Sequence, residues 1–239
     1  MEIQAPQIAG AAQPGQFVMV AVGKETSDPL LRRPLSIHQA GLGVVSLLYR
    51  LVGKGTRQVA QMKKGEKVSL LGPLGQGFQL RTAPHHCLVG GGVGVAPLLF
   101  LATAIRERLP SEKITVLLGG RTAAELLALA DFEKVAPVQV ATDDGSQGLH
   151  GLVTELLAKE ISGPATLYSC GPTPMMKGVA ALARQRQWPC QVSLEAMMAC
   201  GMGACLGCAV QRAGIDETEK KYVHVCKDGP VFEAGMIWL

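Results

Sequence analysis

The chain has 239 residues, a formal net charge of +4, 48% hydrophobic residues, 29 glycines and seven cysteines. That length suits one large or two modest domains, and the composition is that of a globular chain, not a disordered one. Lysines and arginines are scattered singly or in pairs among few aromatics, which argues against a nucleic-acid surface.

The N-terminus Met1-Glu2-Ile3-Gln4 lacks the basic and apolar regions of a secretory signal. With an odd number of cysteines, four of them clustered, a reducing, cytoplasmic setting is expected. Residues 1–82 read as short strands between Gly/Pro turns: Phe17–Val22, Val44–Leu51 and Val68–Leu71, interrupted by a helical piece over Thr56–Met62. That spacing suggests a small antiparallel barrel. The chain starts close to what looks like the barrel's second strand, which puts the barrel's edge in question. From about residue 84 strands alternate with helices: Cys87–Val89, Pro97–Arg108, Ile114–Leu118, Ala123–Phe132, Val138–Ala141, Val153–Glu160, Thr166–Cys170 and Pro174–Gln187. Such alternation predicts a parallel sheet. Cys87–Ile105 carries no charge, but its glycines and Pro97 make it a strand, loop and helix, not a membrane span. Val192–Leu194 leads into the cysteine-rich end, and the charged stretch Ala213–Lys221 reads as a solvated turn.

The motifs fall at strand ends. Arg33-Pro34-Leu35-Ser36 follows a predicted strand. An Arg fork there matches two phosphate oxygens, and the Ser36 hydroxyl suits a ring nitrogen. A surface Arg and a core Ser are the plainer alternative. Leu48-Tyr49-Arg50 and Gly53-Lys54-Gly55-Thr56 add context, since a glycine approach to a helix N-terminus makes an anion site; Thr56 alone also reads as an N-cap. Gly72–Phe78 is a backbone-rich loop. Gly90–Pro97 follows a strand and precedes a helix, so Gly91, Gly92 and Gly94 allow backbone to approach a pyrophosphate. Pro97 stands where the full dinucleotide fingerprint has its third small residue, and a tight structural turn is the alternative. Cys170-Gly171-Pro172 lies at another strand end, where the thiol is placed to face a nicotinamide ring and Gly171 to let it close; a buried, inert Cys is the alternative. Cys87 and Cys190 read as structural.

Cys200, Cys205 and Cys208 form a C-x4-C-x2-C pattern, and Cys226 follows. This is plant-type [2Fe–2S] spacing with a short gap to the last ligand. Gly201, Gly203 and Gly207 permit the positive φ values of a loop that turns its amides toward sulfur. A structural zinc site is the alternative. Glu195 reads either as an acid beside the cluster or as a carboxylate at a helix start. His224 lacks the second His that a Rieske centre needs, which favours four Cys ligands.

With these motifs in this order, the chain resembles the ferredoxin–NAD(P) reductase superfamily, and within it the electron-transfer subunits of two-component, NAD-dependent dihydroorotate dehydrogenases. The most specific likeness runs from Leu194 to Cys208 and from Val225 to Phe232. The resemblance implies an α/β plus β fold: an N-terminal antiparallel FAD-binding β-barrel over 1–82, a parallel-sheet NAD-binding domain over 83–188 and a small C-terminal [2Fe–2S] domain over 189–239. It implies that Arg33, Pro34, Leu35, Ser36, Leu48, Tyr49, Arg50, Gly55 and Thr56 bind FAD. Gly91, Gly92, Gly94, Pro97, Cys170, Gly171 and Pro172 would bind NAD, Ser36 and Cys170 would be catalytic, and Cys200, Cys205, Cys208 and Cys226 would hold the cluster. Leu35 stands where many relatives carry a flavin-stacking aromatic, so Tyr49 is expected to take that part. The implied activity is transfer of electrons from NADH through FAD and the cluster to an FMN-containing dihydroorotate dehydrogenase catalytic subunit, in a heterotetramer of two of each. The rival readings are a reductase subunit serving a hydrogenase or a ferredoxin-NADP transhydrogenase, and a cluster-based redox sensor without turnover.

Overall fold

Phe17–Val20 (β2) is apolar and buried at every position, so both of its faces are covered. In the computed structural model, which describes residues 1–22, 28–214 and 221–239, β2 lies antiparallel between Arg33–Gly41 (β3) and Leu70–Leu74 (β5). Val44–Leu47 (β4) and Glu2–Gln4 (β1) complete a five-stranded sheet in the order β1-β4-β3-β2-β5. Val18, Val20, Ile37, Val45 and Leu47 fill its interior. Leu42 and Gly43, both at positive φ, make the two-residue turn that sets the β3–β4 register. The edge left in question is thus occupied: β1 pairs with β4, ahead of the short helix Pro6–Ala11 (α1). Arg33–Ser36 opens a nine-residue strand instead of closing one. The strand expected over Val44–Leu51 stops at Leu47, which frees Leu48–Arg50 from the ladder. Gly55 and Thr56 lie inside the first turn of Lys54–Ala60 (α2), not ahead of it.

The second sheet has seven strands. His85–Gly91 (β6) is buried throughout and sits at its centre. Lys113–Gly120 (β7), Val138–Thr142 (β8) and Leu149–His150 (β9) follow on one side; Thr166–Cys170 (β10) and Cys190–Ser193 (β11) lie on the other, all parallel. Antiparallel Val231–Glu233 (β14) closes the β11 edge. Ala96–Arg108 (α3) and Leu129–Glu133 (α4) cover one face, and Val153–Glu160 (α5) and Thr173–Arg186 (α6) the other. The chain switches sides between β6 and β10, and ligands of such sheets bind outside the carboxyl ends of the strands at that crevice. The helix expected over Ala123–Phe132 is broken: a 3-10 turn at Ala123–Glu125 precedes α4, with Ala128 at φ 55° between them. Leu126, Leu127, Ala128 and Leu129 all pack on the core, and four consecutive residues of one helix sweep too much of its circumference for that.

Ala209–Gln211 (β12) and Tyr222–His224 (β13) form a separate hairpin beyond the cysteine loop. The turn expected over Ala213–Lys221 lies outside the described residues for 215–220. Cys190–Ser193 and Val231–Glu233 both belong to the seven-stranded sheet, so a division at 188/189 falls within that sheet.

Polar contacts lock the layers. The buried His38 on β3 bonds through Nδ1 to the Ala96 carbonyl at 2.7 Å, and Gln39 Nε2 donates to Thr103 Oγ1 at 2.9 Å, which docks the barrel on α3. The Gln191 amide, nearly fully buried, accepts from the Gln79 N–H at 2.9 Å and donates to the Gln79 carbonyl at 3.0 Å. That pair ties the barrel's exit loop to β11.

Burial holds the pKa of His38 and His85 below the free value of 6.5. The unfolded chain then takes up protons first, so stability is lost as pH falls through about 6.5. The expected outcome is a Tm that drops from pH ~7.5 to ~5.5, with a shallower drop in His38→Gln. An unchanged slope in the variant would show that His38 is not held neutral.

Candidate functional site

Where the barrel, the crevice and the chain's C-terminal part meet, a cavity of about 410 Å³ opens. It gathers Arg33, Pro34, Leu35 and Ser36 from β3, Leu48, Tyr49 and Arg50 from the segment released after β4, and Thr56 from α2. The expected motif residues therefore converge, although they lie on three separate pieces of chain. Arg33 is placed by β3 and held by its own neighbourhood: Nη1 donates to the Leu31 carbonyl at 2.7 Å. Its guanidinium lies over the start of α2, where a side chain at Gly55 would come within 2.7 Å of Arg33 Nε. A cation over a helix N-terminus is a cradle for phosphate oxygens, and Gly55 is what lets the two meet. Thr56 Oγ1 accepts the N–H groups of Val52 and Gly53 at 3.1 and 3.2 Å, which shapes the approach to that turn. Leu35 and Tyr49 both line the wall, and Phe17 of β2 lines it too, so Tyr49 and Phe17 are the aromatics present where Leu35 offers none; burial pushes the Tyr49 hydroxyl pKa up.

The remaining wall was not legible as such. Val93 and Ala96 come from the glycine-rich loop and α3, Leu194, Glu195, Ala196 and Met198 from the run after β11, and Pro230 from the return toward β14. A sequence signal was present in the apolar run ahead of Cys200, but only the fold turns it toward the flavin-type motifs.

A second cavity, of about 470 Å³, lies at the carboxyl ends of β6, β7 and β8. Gly91, Gly92 and Pro172 line it as expected, and Arg50 forms part of both cavities. Gly119, Gly120, Arg121, Glu125 and Asp143 form its far end. Of the remaining motif residues, Pro97 is buried as the second residue of α3. Gly94 is buried too, and the position of a Cβ there is 2.4 Å from Gly171 Cα and 2.6 Å from the Cys170 carbonyl oxygen. Gly94 and Gly171 thus let the ends of β6 and β10 cross backbone to backbone. Cys170 is 3% exposed and lines neither cavity. Burial pushes its thiol up to about 12, so at neutral pH it is an uncharged thiol beneath the crevice.

Beyond Met198 the chain enters the cysteine loop. Gly201 and Gly203 take φ of 72° and 83°, but the third positive φ falls on Leu206, at 59°, and not on Gly207. The Gly203 N–H donates to Cys226 Sγ at 3.1 Å, the Cys205 N–H to Cys200 Sγ at 3.4 Å and the Cys226 N–H to Cys208 Sγ at 3.4 Å. Amide donors, that of Cys205 foremost and then that of Met202, draw the Cys200 thiol down to about 6, toward the thiolate a metal requires. Burial raises Cys226. The sulfurs come in pairs: Cys208 and Cys226 are 3.2 Å apart, and Cys205 hydrogen-bonds Cys200. Among the described residues no three His, Cys, Asp or Glu side chains converge as a single-ion site requires. Four cysteines, three of whose sulfurs accept main-chain amides, have the chemistry that suits a two-iron cluster. The His224 ring faces Asp228, with Nδ1 3.6 Å from Oδ2, and the same oxygen accepts the His224 main-chain N–H at 2.7 Å.

Residues 195–237 match the family model described as the iron–sulfur cluster binding domain of dihydroorotate dehydrogenase B, and residues 88–181 match the oxidoreductase NAD-binding domain. The chain is 44% identical to the dihydroorotate dehydrogenase B (NAD(+)) electron transfer subunit of Desulforamulus reducens, over 99% of this chain and 91% of that one. It is 42% identical to the protein of the same name from Geobacillus thermodenitrificans, over 97% and 89%. Among solved structures it is similar to a chain from the NADH-dependent reduced ferredoxin-NADP oxidoreductase, reported for flavin-based electron bifurcation, with a TM-score of 0.85, 31% identity and coverage of 99% and 83%. The FAD/NAD binding domain of a Vibrio cholerae nitric oxide dioxygenase shares the reductase fold at a TM-score of 0.59, 22% identity and coverage of 74% and 81%.

The Gly94–Gly171 contact is rigid on both sides. Gly94→Ala is expected to lower stability by about 1–3 kcal/mol, read as a fall in Tm of several degrees. A Tm equal to the parent's would contradict the crossing.

Proposed function

The chain belongs to the family of electron transfer subunits of NAD-dependent dihydroorotate dehydrogenase B, and on that premise we propose that its first cavity holds FAD, its second NADH, and its cysteine loop the cluster through which electrons leave. The observation that carries this reading is one of chain distance. Met198 is part of the wall of the first cavity, and Cys200, two residues on, opens the cysteine loop assigned here to the cluster; two residues span at most about 7 Å. Flavin and cluster are thereby held side by side.

The flavin, when bound, takes a hydride from NADH as an electron pair and releases the electrons singly, as an iron–sulfur cluster requires. The chain's residues supply position. Arg33 and the first turn of α2 hold the flavin diphosphate, with Arg50 beside them. Tyr49 covers a face of the ring system, and Ser36 offers its hydroxyl to the ring nitrogen at which hydride arrives. Gly91 and Gly92 bring backbone to the dinucleotide's pyrophosphate, and Pro172 borders its path. Cys170 acts as an uncharged packing group that keeps the crevice floor closed to water, with Gly171 giving the nicotinamide room. Cys200, Cys205, Cys208 and Cys226 hold the cluster.

The electrons pass to a catalytic partner subunit, which the relatives' names imply. We assign that partner FMN and the interconversion of dihydroorotate and orotate in pyrimidine biosynthesis, in a heterotetramer. Met197, Met202 and Leu206 are exposed, as is Cys205 in the same loop, and we assign them to the apolar face at which it docks. A cytoplasmic setting belongs to the same proposal; among the described residues no helix is long and apolar enough to cross a membrane. The hydrogenase, transhydrogenase and sensor readings have weaker support, because the relatives at 42% and 44% identity bear the dihydroorotate dehydrogenase name.

Arg33→Ala is expected to weaken FAD retention about 10- to 100-fold, the loss of charge-assisted hydrogen bonds, measured by flavin release on dilution. Unchanged occupancy would remove Arg33 from the site. Cys205→Ser should leave NADH-driven flavin bleaching in place and abolish electron delivery to the partner. Bleaching lost along with delivery would show that the two functions are not separable.

A further inference from the structure

Past Cys208 the chain builds a small sheet that the cofactor sites do not use. β12 pairs antiparallel with β13, with Ala209 opposite His224 and Gln211 opposite Tyr222. The C-terminal segment adds a third line on the other side of β12. There the Trp238 N–H donates to the Gln211 carbonyl at 3.0 Å, the Ala213 N–H to the Met236 carbonyl at 3.0 Å, and Arg212 is paired with Ile237. One side of this sheet is covered: Val210, Val223 and Ile237 pack on the same core as Cys208 and Cys226. Side chains alternate along extended chain, so Gln211, Tyr222, Met236 and Trp238 lie on the opposite side. Trp238 is 68% exposed, Tyr222 51% and Met236 43%. Tyr222, Gln211 and Trp238 therefore form one row across three lines of chain, facing solvent.

Tryptophan and tyrosine carry much of the binding energy at protein interfaces, because each joins a large apolar area to a polar tip. The row lies close to the docking face already assigned. Leu206 of that face stands three residues before Ala209, which shares a side with Gln211, and three residues span at most about 11 Å. The docking face is also too small by itself. Even wholly exposed, and each counted at the roughly 150–250 Å² of a large aromatic, Met197, Met202 and Leu206 fall short of the ~800 Å² that each partner in a stable complex buries. An interface centred on the cysteine loop has to extend, and the row is the exposed apolar surface that continues it along the chain.

We propose that Tyr222, Gln211, Met236 and Trp238 form the outer part of the surface on which the catalytic partner subunit docks. The occupant is the partner that the relatives' names imply, since a second copy of this chain on the row would stand beside the outlet that the partner has to reach. The covered side of the same strands packs with Cys208 and Cys226, so a partner seated on the row is held at a fixed distance from the cysteine loop. This rests on the reading that electrons leave through that loop.

Hydroxyl-radical footprinting of the cofactor-loaded chain, alone and saturated with the catalytic subunit, tests it on the unaltered protein. Trp238, Tyr222 and Met236 should lose most of their labelling in the complex. By isothermal titration Trp238→Ala should weaken association with that subunit about 10- to 100-fold, with Trp238→Phe recovering most of the loss. Labelling of the three side chains that is unchanged in the complex overturns the proposal, as does an affinity within about twofold of the parent's in both Trp238→Ala and Tyr222→Ala. Protection that appears in the chain alone as its concentration rises gives the row to a second copy and overturns it too. Reduction of the parent's metal centre by NADH without the partner reads the electron path separately: a row protected by the subunit on a chain whose centre NADH cannot reduce supports the docking surface and sinks the electron path.

Discussion

The arrangement depends on one packing contact, the seat of the cysteine loop on the barrel. A side chain at Gly201 would lie 2.6 Å from Met19 Cγ and 3.3 Å from Leu74 Cδ1, so the loop rests directly on β2 and β5. Met19 is fully buried and belongs to the same apolar cluster as Cys208, Val225 and Cys226. On the other side of the loop Gln76 N–H meets the Gly229 carbonyl, and Gly75 packs against Pro230. Both limbs of the loop, one before Cys200 and one after Cys226, then run along the wall of the first cavity. Apolar contact sets the separation of the first cavity and the cysteine loop, and the backbone amides set the environment of the sulfurs.

The rest of the fold supplies the order of events. The barrel offers an anion cradle because β4 ends at Leu47 and lets Tyr49 and Arg50 turn inward. The seven-stranded sheet offers a crevice because its chain reverses direction of travel between β6 and β10. Arg50 belongs to both cavities, so the sites proposed for FAD and NADH share a wall. The C-terminal part adds an outlet whose exposed surface is apolar around Cys205 and whose inner surface is shared with the flavin cavity.

Much of this was readable from local chemistry. Arg33–Ser36, Tyr49-Arg50, Thr56, Gly91 and Gly92 line the two cavities, although Arg33–Ser36 opens its strand instead of closing one and Thr56 lies inside α2; each motif is short because it draws on residues close in sequence. The cysteine spacing is equally local. What was not readable depends on pieces far apart in the chain. Glu125 and Asp143 become one rim only when the loops after β7 and β8 are joined, and Leu194, Glu195, Ala196 and Met198 become part of the first cavity's wall only when the cysteine loop seats on β2. Cys170 shows the converse: its motif pointed to an active thiol, while the packing of β10 buries it. Glu2–Gln4 escaped notice because three residues carry too little alternation to signal a strand. The positive φ at Leu206 has no sequence signal at all, since the turn there is imposed by the sulfur pairs on either side.

The central claim is that electrons entering at the second cavity reach the cysteine loop by way of the first. Anaerobic titration of the cofactor-loaded chain with NADH, followed together by visible absorbance and electron paramagnetic resonance, tests it most directly. The account predicts that flavin absorbance bleaches and that the spin signal of a reduced two-iron cluster grows in the same titration. A fully bleached flavin beside a cluster that stays oxidised, or a metal centre with no spin signal in either state, would contradict it.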